Sequence, residues 1–417
     1  MYDVVSASAA DEGCGPNMQQ TGIVSTPLRQ QVFEHVRGLG RVARSDISRG
    51  LGISAGSISA VTADLIGAGL LREVETPARE PGRGRPPVAL EVVADSHLVI
   101  GVKLGDERHS AVLSDFAGRQ LAEATLPTTA KRKTVNQLMD ELASLCDTLL
   151  APTGLTMSQI AGVGVGVSGI VDSQTGTIAW SPLLRERDVP MAARLTERFG
   201  VPMFLDNDAN MLTLNELWFG AGRSLPDFVV ITVEHGVGMG VVLGNRLFRG
   251  SRGMGLELGH IKVQLDGALC RCGQRGCLEA YLADYALARE AVTALDAPVT
   301  DTRPAVIMQM LLDEAKAGNA GARAIFRRAG RYLSLGLANV IQLFDPALII
   351  LTGDRMQYDY LYADEMLAET RALTLSEGRM PCRVAAHAWG DLVWAKGATA
   401  LALSAVTAEV VGLGRNA

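Results

Sequence analysis

Glu257-Leu258-Gly259-His260, followed by Cys270-Arg271-Cys272-Gly273-Gln274-Arg275-Gly276-Cys277-Leu278-Glu279, places one histidine and three cysteines where a single metal ion can collect them. Three of the six cysteines fall in this eight-residue window. The spacing His-x9-Cys-x-Cys-x4-Cys suits a compact loop around tetrahedral zinc, with Gly273 and Gly276 supplying the sharp turns. The competing reading is a chance cluster of buried or oxidised thiols. Four protein ligands, His260, Cys270, Cys272 and Cys277, would close the coordination sphere, so the expected ion is structural Zn2+ and not hydrolytic.

The chain around this loop has 417 residues, 48 % of them apolar and 20 % charged, enough for two or three domains with cores of their own. No segment reaches the eighteen uninterrupted apolar residues of a membrane span, and the first residues lack the basic and apolar regions of a secretion signal. The expected location is therefore the cytoplasm, without membrane contact. A reducing compartment also favours thiolate–zinc chemistry over disulfides.

Charge is unevenly distributed. Residues 27–90 hold nine Arg, no Lys and six acidic side chains, a balance of +3 within a chain of net charge −6. A basic first segment on an acidic body points to that segment as the part that meets a polyanion. Residues 1–25 show no periodicity and read as a disordered tail. From Pro27 the spacing becomes helical, with Leu28, Val32, Phe33, Val36 and Leu39 on one face. A short helix follows from about Arg44 to Leu51, facing Ile47 and Leu51 inward. After the turn Gly52-Ile53-Ser54, a third helix capped by Ser54 runs over about residues 55–68, with Ile58, Val61, Leu65 and Ile66 inward. A hairpin begins at Gly69-Leu70-Leu71.

Together these elements spell a winged helix-turn-helix over 26–78, presenting Ser54, Ser57, Ser59 and Thr62 to a DNA major groove. The alternative is a helical module that recruits a protein partner. Pro81-Gly82-Arg83-Gly84-Arg85-Pro86-Pro87 lies in an expected linker, 79–95, and forms a thin cationic strand able to enter a narrow minor groove through Arg83 and Arg85. It also reads simply as a linker.

Strands follow over 97–104, 110–113 and 120–126, and the same meander recurs over 228–233, 238–243 and 246–248. Helices succeed each unit, over 135–150 and over 280–295 and 322–344. Residues 96–417 thus read as two related α/β lobes with a cleft between them. Two further apolar strands, 160–167 and 347–351, end in Ser168-Gly169 and Thr352-Gly353, glycines that permit close approach of a ligand to backbone.

With these motifs in hand, the sequence resembles the ROK family of bacterial sugar kinases and sugar-responsive repressors. The resemblance rests on the cysteine cluster with Gly259-His260 and Glu279, and on Asp206-Asn207-Asp208-Ala209-Asn210 with Glu216 downstream. It implies an α/β, actin-like ATPase (ribonuclease H-like) fold behind the mainly helical head, with sugar in the cleft. Carried over by motif, Gly169, Asn207, Asp208, Glu257, His260 and Glu279 are the implied sugar ligands. Carboxylates and amides suit a pyranose, whose hydroxyls each donate and accept.

The resemblance also exposes departures. Kinases of the family carry Asp-x-Gly-Gly-Thr in the first hairpin, where this chain has Lys103-Leu104-Gly105-Asp106-Glu107. Their second phosphate loop, Gly-Thr-Gly, is Glu234-His235-Gly236 here. Asp106, Glu107 and Glu234 would oppose ATP phosphates, at about 3 kcal/mol for each unit-charge pair near 5 Å at an effective dielectric of about 20. Asp208, the general base of the kinases, can serve a repressor by accepting a sugar hydroxyl without proton transfer. Ser181-Pro182-Leu183 lacks the usual third-position Asn, and Ala60 stands where these repressors commonly have Arg. The expectation is a sugar-responsive repressor, not an enzyme, acting on an operator in double-stranded DNA as a homodimer or dimer of dimers. The alternative is an ATP-dependent sugar kinase fused to a DNA-binding head.

Overall fold

The computed structural model describes residues 13–17, 26–75, 88–129, 132–251, 253, 255–294, 303–353, 364–375, 377, 381–388 and 390–412. They divide into two compact units. The head-bearing unit draws on Ser8–Pro226, Val242–Met254 and Asp391–Ala417; the cysteine-loop unit draws on Asp227–Val241 and Gly255–Gly390.

In the head, α1 (Leu28–Leu39), β1 (Val42–Ala43), α2 (Arg44–Leu51) and α3 (Ala55–Gly67) precede β2 (Leu71–Glu75) and β3 (Val88–Val92). Val32, Phe33, Val36, Ile47, Ile58, Leu65 and Leu90 are fully buried and form its core. Ser54 caps α3 by accepting the Ser57 N–H at 3.2 Å, as its sequence position predicts. Three expectations need correction. β3 lies between β1 and β2 in one sheet, pairing Leu71 with Val92 through Glu75 with Val88, so residues up to 92 belong to the head. The basic stretch expected in an interdomain linker lies, in sequence, between these paired strands β2 and β3 and outside the described residues. Leu39 is 39 % exposed, while Arg37 and Gly38 of the same turn are buried. Finally, residues 13–17, read as part of a disordered tail, are packed, with Cys14 buried.

The body of this unit is a five-stranded sheet. β4 (Leu98–Leu104), β5 (Arg108–Asp115) and β6 (Gln120–Pro127) form the antiparallel meander, while β7 (Ile160–Val167) and β10 (Met203–Asn207) extend it in parallel in the order β10-β7-β4-β5-β6. A separate hairpin, β8 (Ile170–Asp172) with β9 (Thr177–Trp180), follows β7. α4 (Val135–Leu150) and α5 (Met191–Phe199) contribute Leu138, Leu142, Leu145 and Leu195 to one apolar cluster with Ile100, Val102, Val163 and Val165. α6 (Asp208–Phe219) and α12 (Val393–Thr407) pack on each other, and α12 also packs on β4 and β7. Glycine makes the second packing possible: a Cβ at Gly101 would lie 2.1 Å from the Ala395 carbonyl oxygen, and one at Gly164 2.0 Å from that of Ala398. The helix backbone rests on bare strand.

A second sheet, most of it in the cysteine-loop unit, repeats the plan. β11 (Phe228–Val233), β12 (Val237–Leu243), β13 (Arg246–Phe248), β14 (Leu348–Thr352) and β15 (Arg383–His387) run in the order β13-β12-β11-β14-β15. This is the first sheet's order, with β14 parallel to both β11 and β15. α7 (Glu279–Leu282), α8 (Asp284–Ala294), α9 (Pro304–Ala317), α10 (Ala320–Phe344) and α11 (Asp364–Leu373) supply its helices. The single helix expected over 280–295 is broken at Ala283, whose backbone is extended (φ −68°, ψ 153°).

Candidate functional site

His260 ends a short 3-10 turn, Leu258–His260, and the cysteines lie on the loop that follows. Gly273 and Gly276 both take positive φ, 87° and 76°, and a Cβ at Gly276 would stand 1.7 Å from the Gln264 carbonyl oxygen. The Cys270 N–H bonds the Gln274 carbonyl at 2.9 Å, which closes the turn. The ligating atoms of His260, Cys270, Cys272 and Cys277 all lie within 4.8 Å of one another. Cys272 Sγ and Cys277 Sγ are 3.7 Å apart, as are Cys270 Sγ and His260 Nδ1. Zn–S and Zn–N bonds at tetrahedral angles give edges of about 3.5–3.8 Å, so the four side chains fit this ion.

Their surroundings fit as well. Lys262 Nζ donates to Cys277 Sγ at 2.9 Å, and that bond raises the lysine pKa. Burial pushes the Cys270 thiol up, so its thiolate form calls for a neighbouring cation. Glu279 is buried at 9 % exposure; one carboxylate oxygen accepts the Tyr285 hydroxyl at 3.4 Å and the other the Val237 N–H at 3.4 Å. It thereby ties the loop to β12. Glu257 is exposed. Sequence reasoning missed Lys262, Tyr281 and Tyr285, although the tyrosines stand four residues apart beyond the last cysteine. Tyr281 stacks on Tyr332 with centroids 3.9 Å apart, and both hydroxyls donate to Gln264.

The head-bearing unit gathers the other expected sugar ligands. Asn207 caps α6, its Oδ1 accepting the Asn210 N–H at 2.8 Å. Asp208 begins that helix and accepts the Ser168 hydroxyl at 2.7 Å, which joins it to the strand end that carries Gly169. Gly169 has φ 128°, and a Cβ there would meet the Trp180 carbonyl oxygen at 2.2 Å. Beneath them, fully buried Asp206 accepts from Asn210 Nδ2 at 2.7 Å and from Arg249 Nε at 2.6 Å. No motif had singled out Arg249. Leu183, at the position where the kinases use Asn, is 5 % exposed and packs in the apolar cluster. Its side chain serves the core.

The two turns expected to correspond to the kinases' phosphate loops make contacts within the protein. Lys103 Nζ lies 3.6 Å from the Trp394 ring centroid. The Gly105 N–H donates to Nδ1 of buried His109 at 3.1 Å, which leaves the proton on Nε2, 2.8 Å from Glu141. Arg108 pairs with Asp391 across the hairpin's exposed edge. In the cysteine-loop unit, the Glu234 side chain lies against Gly353, where a Cβ would be 2.8 Å from Oε1. His235 Nδ1 stands 3.3 Å from Asp284 Oδ2.

Ser54, which caps α3, and Ser57, Ser59 and Ala60 on that helix are exposed. Thr62 is not. It is fully buried, accepting from Arg44 Nε at 2.9 Å and donating to the Ser59 carbonyl at 3.2 Å, so it braces α3 against α2 and cannot read bases. Helical spacing put it on the surface; the turn of the head around α2 covers it. Arg83 and Arg85 lie outside the described residues.

A winged-helix head before an α/β body that uses one sheet plan twice defines an actin-like ATPase fold equipped with a helix-turn-helix. The ROK family model matches residues 99–405, and the chain belongs to that family. It is 28 % identical over 333 residues to the xylose repressor of Caldicellulosiruptor bescii, covering 78 % of this chain and 82 % of that protein. A solved ROK family transcriptional regulator, a homologue of the Escherichia coli MLC protein, superposes with a TM-score of 0.75 at 24 % identity, over 92 % of this chain and 97 % of its own. A ROK family glucokinase from Streptomyces griseus, solved with glucose and AMPPNP, gives 0.63 at 30 % identity, over 74 % and 99 %. Repressors and kinases are thus both relatives. Among the described residues no single helix is long and apolar enough to cross a membrane.

Proposed function

We propose that this chain is a cytoplasmic, sugar-responsive transcriptional regulator, a repressor of carbohydrate-utilisation genes that binds zinc and has no kinase activity. The observation that carries this reading is the helix-turn-helix head, whose α3 leaves Ser57 and Ser59 exposed beside its exposed cap Ser54, and whose sequence between β2 and β3 contains Arg83 and Arg85. The xylose repressor supports the same direction. The proposed sugar ligands are Gly169, Asn207 and Asp208 in the head-bearing unit and Glu257, His260 and Glu279 in the cysteine-loop unit. Sugar acts through a differential affinity for one state of the chain, and only that difference can move the DNA heads of a homodimer between states.

His260, Cys270, Cys272 and Cys277 would hold zinc, which supplies a structural crosslink and leaves no coordination position for a substrate. The loop so fixed carries Glu279, linking metal occupancy to sugar affinity. On the nucleotide side, Lys103 is spent on Trp394, the Gly105 N–H on His109, and Glu234 occupies the face of Gly353. A phosphate would have to displace these groups and sit beside carboxylates.

The test is a gel shift of the purified chain with the DNA upstream of its own gene. Binding should fall steeply with salt, and Arg83→Ala with Arg85→Ala should weaken it and flatten the salt slope by about one unit for each phosphate no longer neutralised. No shift at low salt, with or without D-xylose, D-glucose or N-acetyl-D-glucosamine, would defeat the regulator reading. A kinase fused to a DNA-binding head is the rival that the glucokinase likeness and retained Asp208 keep in view.

A further inference from the structure

The last turn of α1 is buried by an arrangement that DNA reading does not require. Arg37 is 2 % exposed; its guanidinium carbon lies 4.5 Å from the Trp218 ring centroid and 5.4 Å from that of Phe33, and Nη1 donates to Thr407 Oγ1 at 2.8 Å. Trp218 is on the last turn of α6 and Thr407 is the last residue of α12. Residues 13–17 lie across this joint as a strap. The Cys14 N–H bonds the Arg37 carbonyl at 3.0 Å, the Gly15 N–H the Trp218 carbonyl at 3.0 Å, and the Asn17 N–H the Arg223 carbonyl at 2.9 Å. Arg223 returns two bonds, to the carbonyls of Gly15 at 3.1 Å and Gly38 at 2.7 Å. Cys14 Sγ donates to the Ala117 carbonyl at 2.9 Å. The strap thus touches head and body at once.

The other end of α6 carries Asn207 and Asp208. Twelve residues of helix span about 18 Å. Every residue from Ala209 to Trp218 is buried, so the helix is enclosed on all sides and a close-packed interior moves it as a body. Midway along it, Asn215 is fully buried, and neither its side-chain oxygen nor its nitrogen has a hydrogen-bond partner among the described residues. A buried amide left in that condition favours any second arrangement in which it finds a partner. A two-state element needs such a bias.

We infer that α6 is the rod through which occupancy at Asn207 and Asp208 reaches the DNA head, and that the Arg37–Trp218 stack sealed by residues 13–17 is the joint at its far end. The inference rests on the regulator reading above. Trp218 and Arg37 are positioning residues: they touch neither the implied sugar ligands nor the exposed face of α3. Arg29 strengthens the same junction, donating to the carbonyls of Val410 and Val411 beyond α12.

The experiment uses the full chain and three variants. Arg37→Met keeps an apolar stem on Trp218 and removes the cation. Gly13→Val expels the strap, since Gly13 has φ 77° and a Cβ there would lie 2.6 Å from the carbonyl oxygens of Arg37 and Gly38. Asn215→Leu removes the buried amide. Cys14 alkylation by N-ethylmaleimide, followed by peptide mass spectrometry, reads the joint. Gel shifts on the upstream DNA with and without D-xylose, D-glucose or N-acetyl-D-glucosamine read the coupling, and thermal shift reads sugar binding.

Arg37→Met and Gly13→Val should alkylate Cys14 faster by about 10- to 30-fold, the equilibrium factor of a desolvated cation–π contact. They should keep the sugar-induced thermal shift while the effect of sugar on DNA affinity shrinks to within about twofold. Asn215→Leu should raise the melting temperature and mute the same effect. If wild-type chain binds DNA and responds to one of the sugars, and the variants respond equally, the rod is refuted and the regulator stands. Wild-type protection of Cys14 in both joint variants refutes it too. A wild-type chain that neither binds the DNA nor responds to these sugars sinks the regulator reading and the rod with it.

Discussion

His35 occupies the seam between α1 and α2, 7 % exposed, with its ring so close to Gly50 that a Cβ there would lie 2.8 Å from Cε1. Neither ring nitrogen has a hydrogen-bond partner among the described residues, and burial holds its pKa below the ordinary value. The unfolded chain therefore takes up the proton first. Stability from this group is complete above about pH 6.5 and drains away as pH falls from there toward the lower folded value. His97 and His109 are shifted in the same direction by burial, so the effect is shared. Between pH 7.5 and 5.5 the wild-type melting temperature should drop, and His35→Leu should lose measurably less over the same interval; parallel curves would acquit His35. Thr62 teaches a related lesson. A hydroxyl at a helical spacing that looks exposed is buried because Arg44, from a neighbouring helix, reaches it. Nothing in the spacing of α3 contains that contact.

At the scale of elements, the cysteine loop was legible because its chemistry is local: ligand types, their spacing and two glycines with positive φ all lie within one stretch. The meanders were legible for the same reason, since alternation and turn residues mark each hairpin. What escaped was whatever depends on distant packing. β3 looked like a linker because its pairing with β1 and β2 is long-range, and the strap at 13–17 has no periodicity, being held by carbonyls of Arg37, Trp218 and Arg223. The loop also yields a clean perturbation. Cys272 is the exposed cysteine of the proposed zinc cluster, so Cys272→Ser removes a proposed coordinating sulfur without opening a core cavity. Elemental analysis should fall from about one zinc per chain to a small fraction of that. Melting should show the loss as an early transition, and the sugar-induced thermal shift should shrink because Glu279 sits on the loosened loop. A variant that keeps full zinc content would remove Cys272 from the ligand set.

For the whole molecule, the contrast behind the proposed reading is between a body whose architecture is that of an actin-like ATPase and turns whose sequence departs from the phosphate loops of the kinases. The duplicated sheet order survives intact, and so does Asp208, hydrogen-bonded to Ser168 at the start of α6. Retention of the base says little, because a carboxylate that accepts a sugar hydroxyl is equally useful to a receptor. The phosphate turns speak more directly. Lys103 is stacked on Trp394, the Gly105 N–H is given to a histidine whose other nitrogen is fixed by Glu141, and His235 leans on Asp284. On the proposed reading, each is an internal partner that an incoming triphosphate would have to break, beside acidic side chains that would repel it. With Mg·ATP and D-glucose, D-xylose or N-acetyl-D-glucosamine, a coupled assay should find sugar-dependent ADP release at less than about one thousandth of the turnover of an ordinary enzyme, near 10 per second. On the proposed reading, Asp208→Asn should leave that background unchanged while weakening the sugar-induced thermal shift, since the substitution would remove an acceptor from the proposed sugar site and not a base from a reaction. ADP release that rises with sugar and disappears in Asp208→Asn would instead mean that the turns open to admit ATP, and the chain would be a kinase carrying a DNA-binding head.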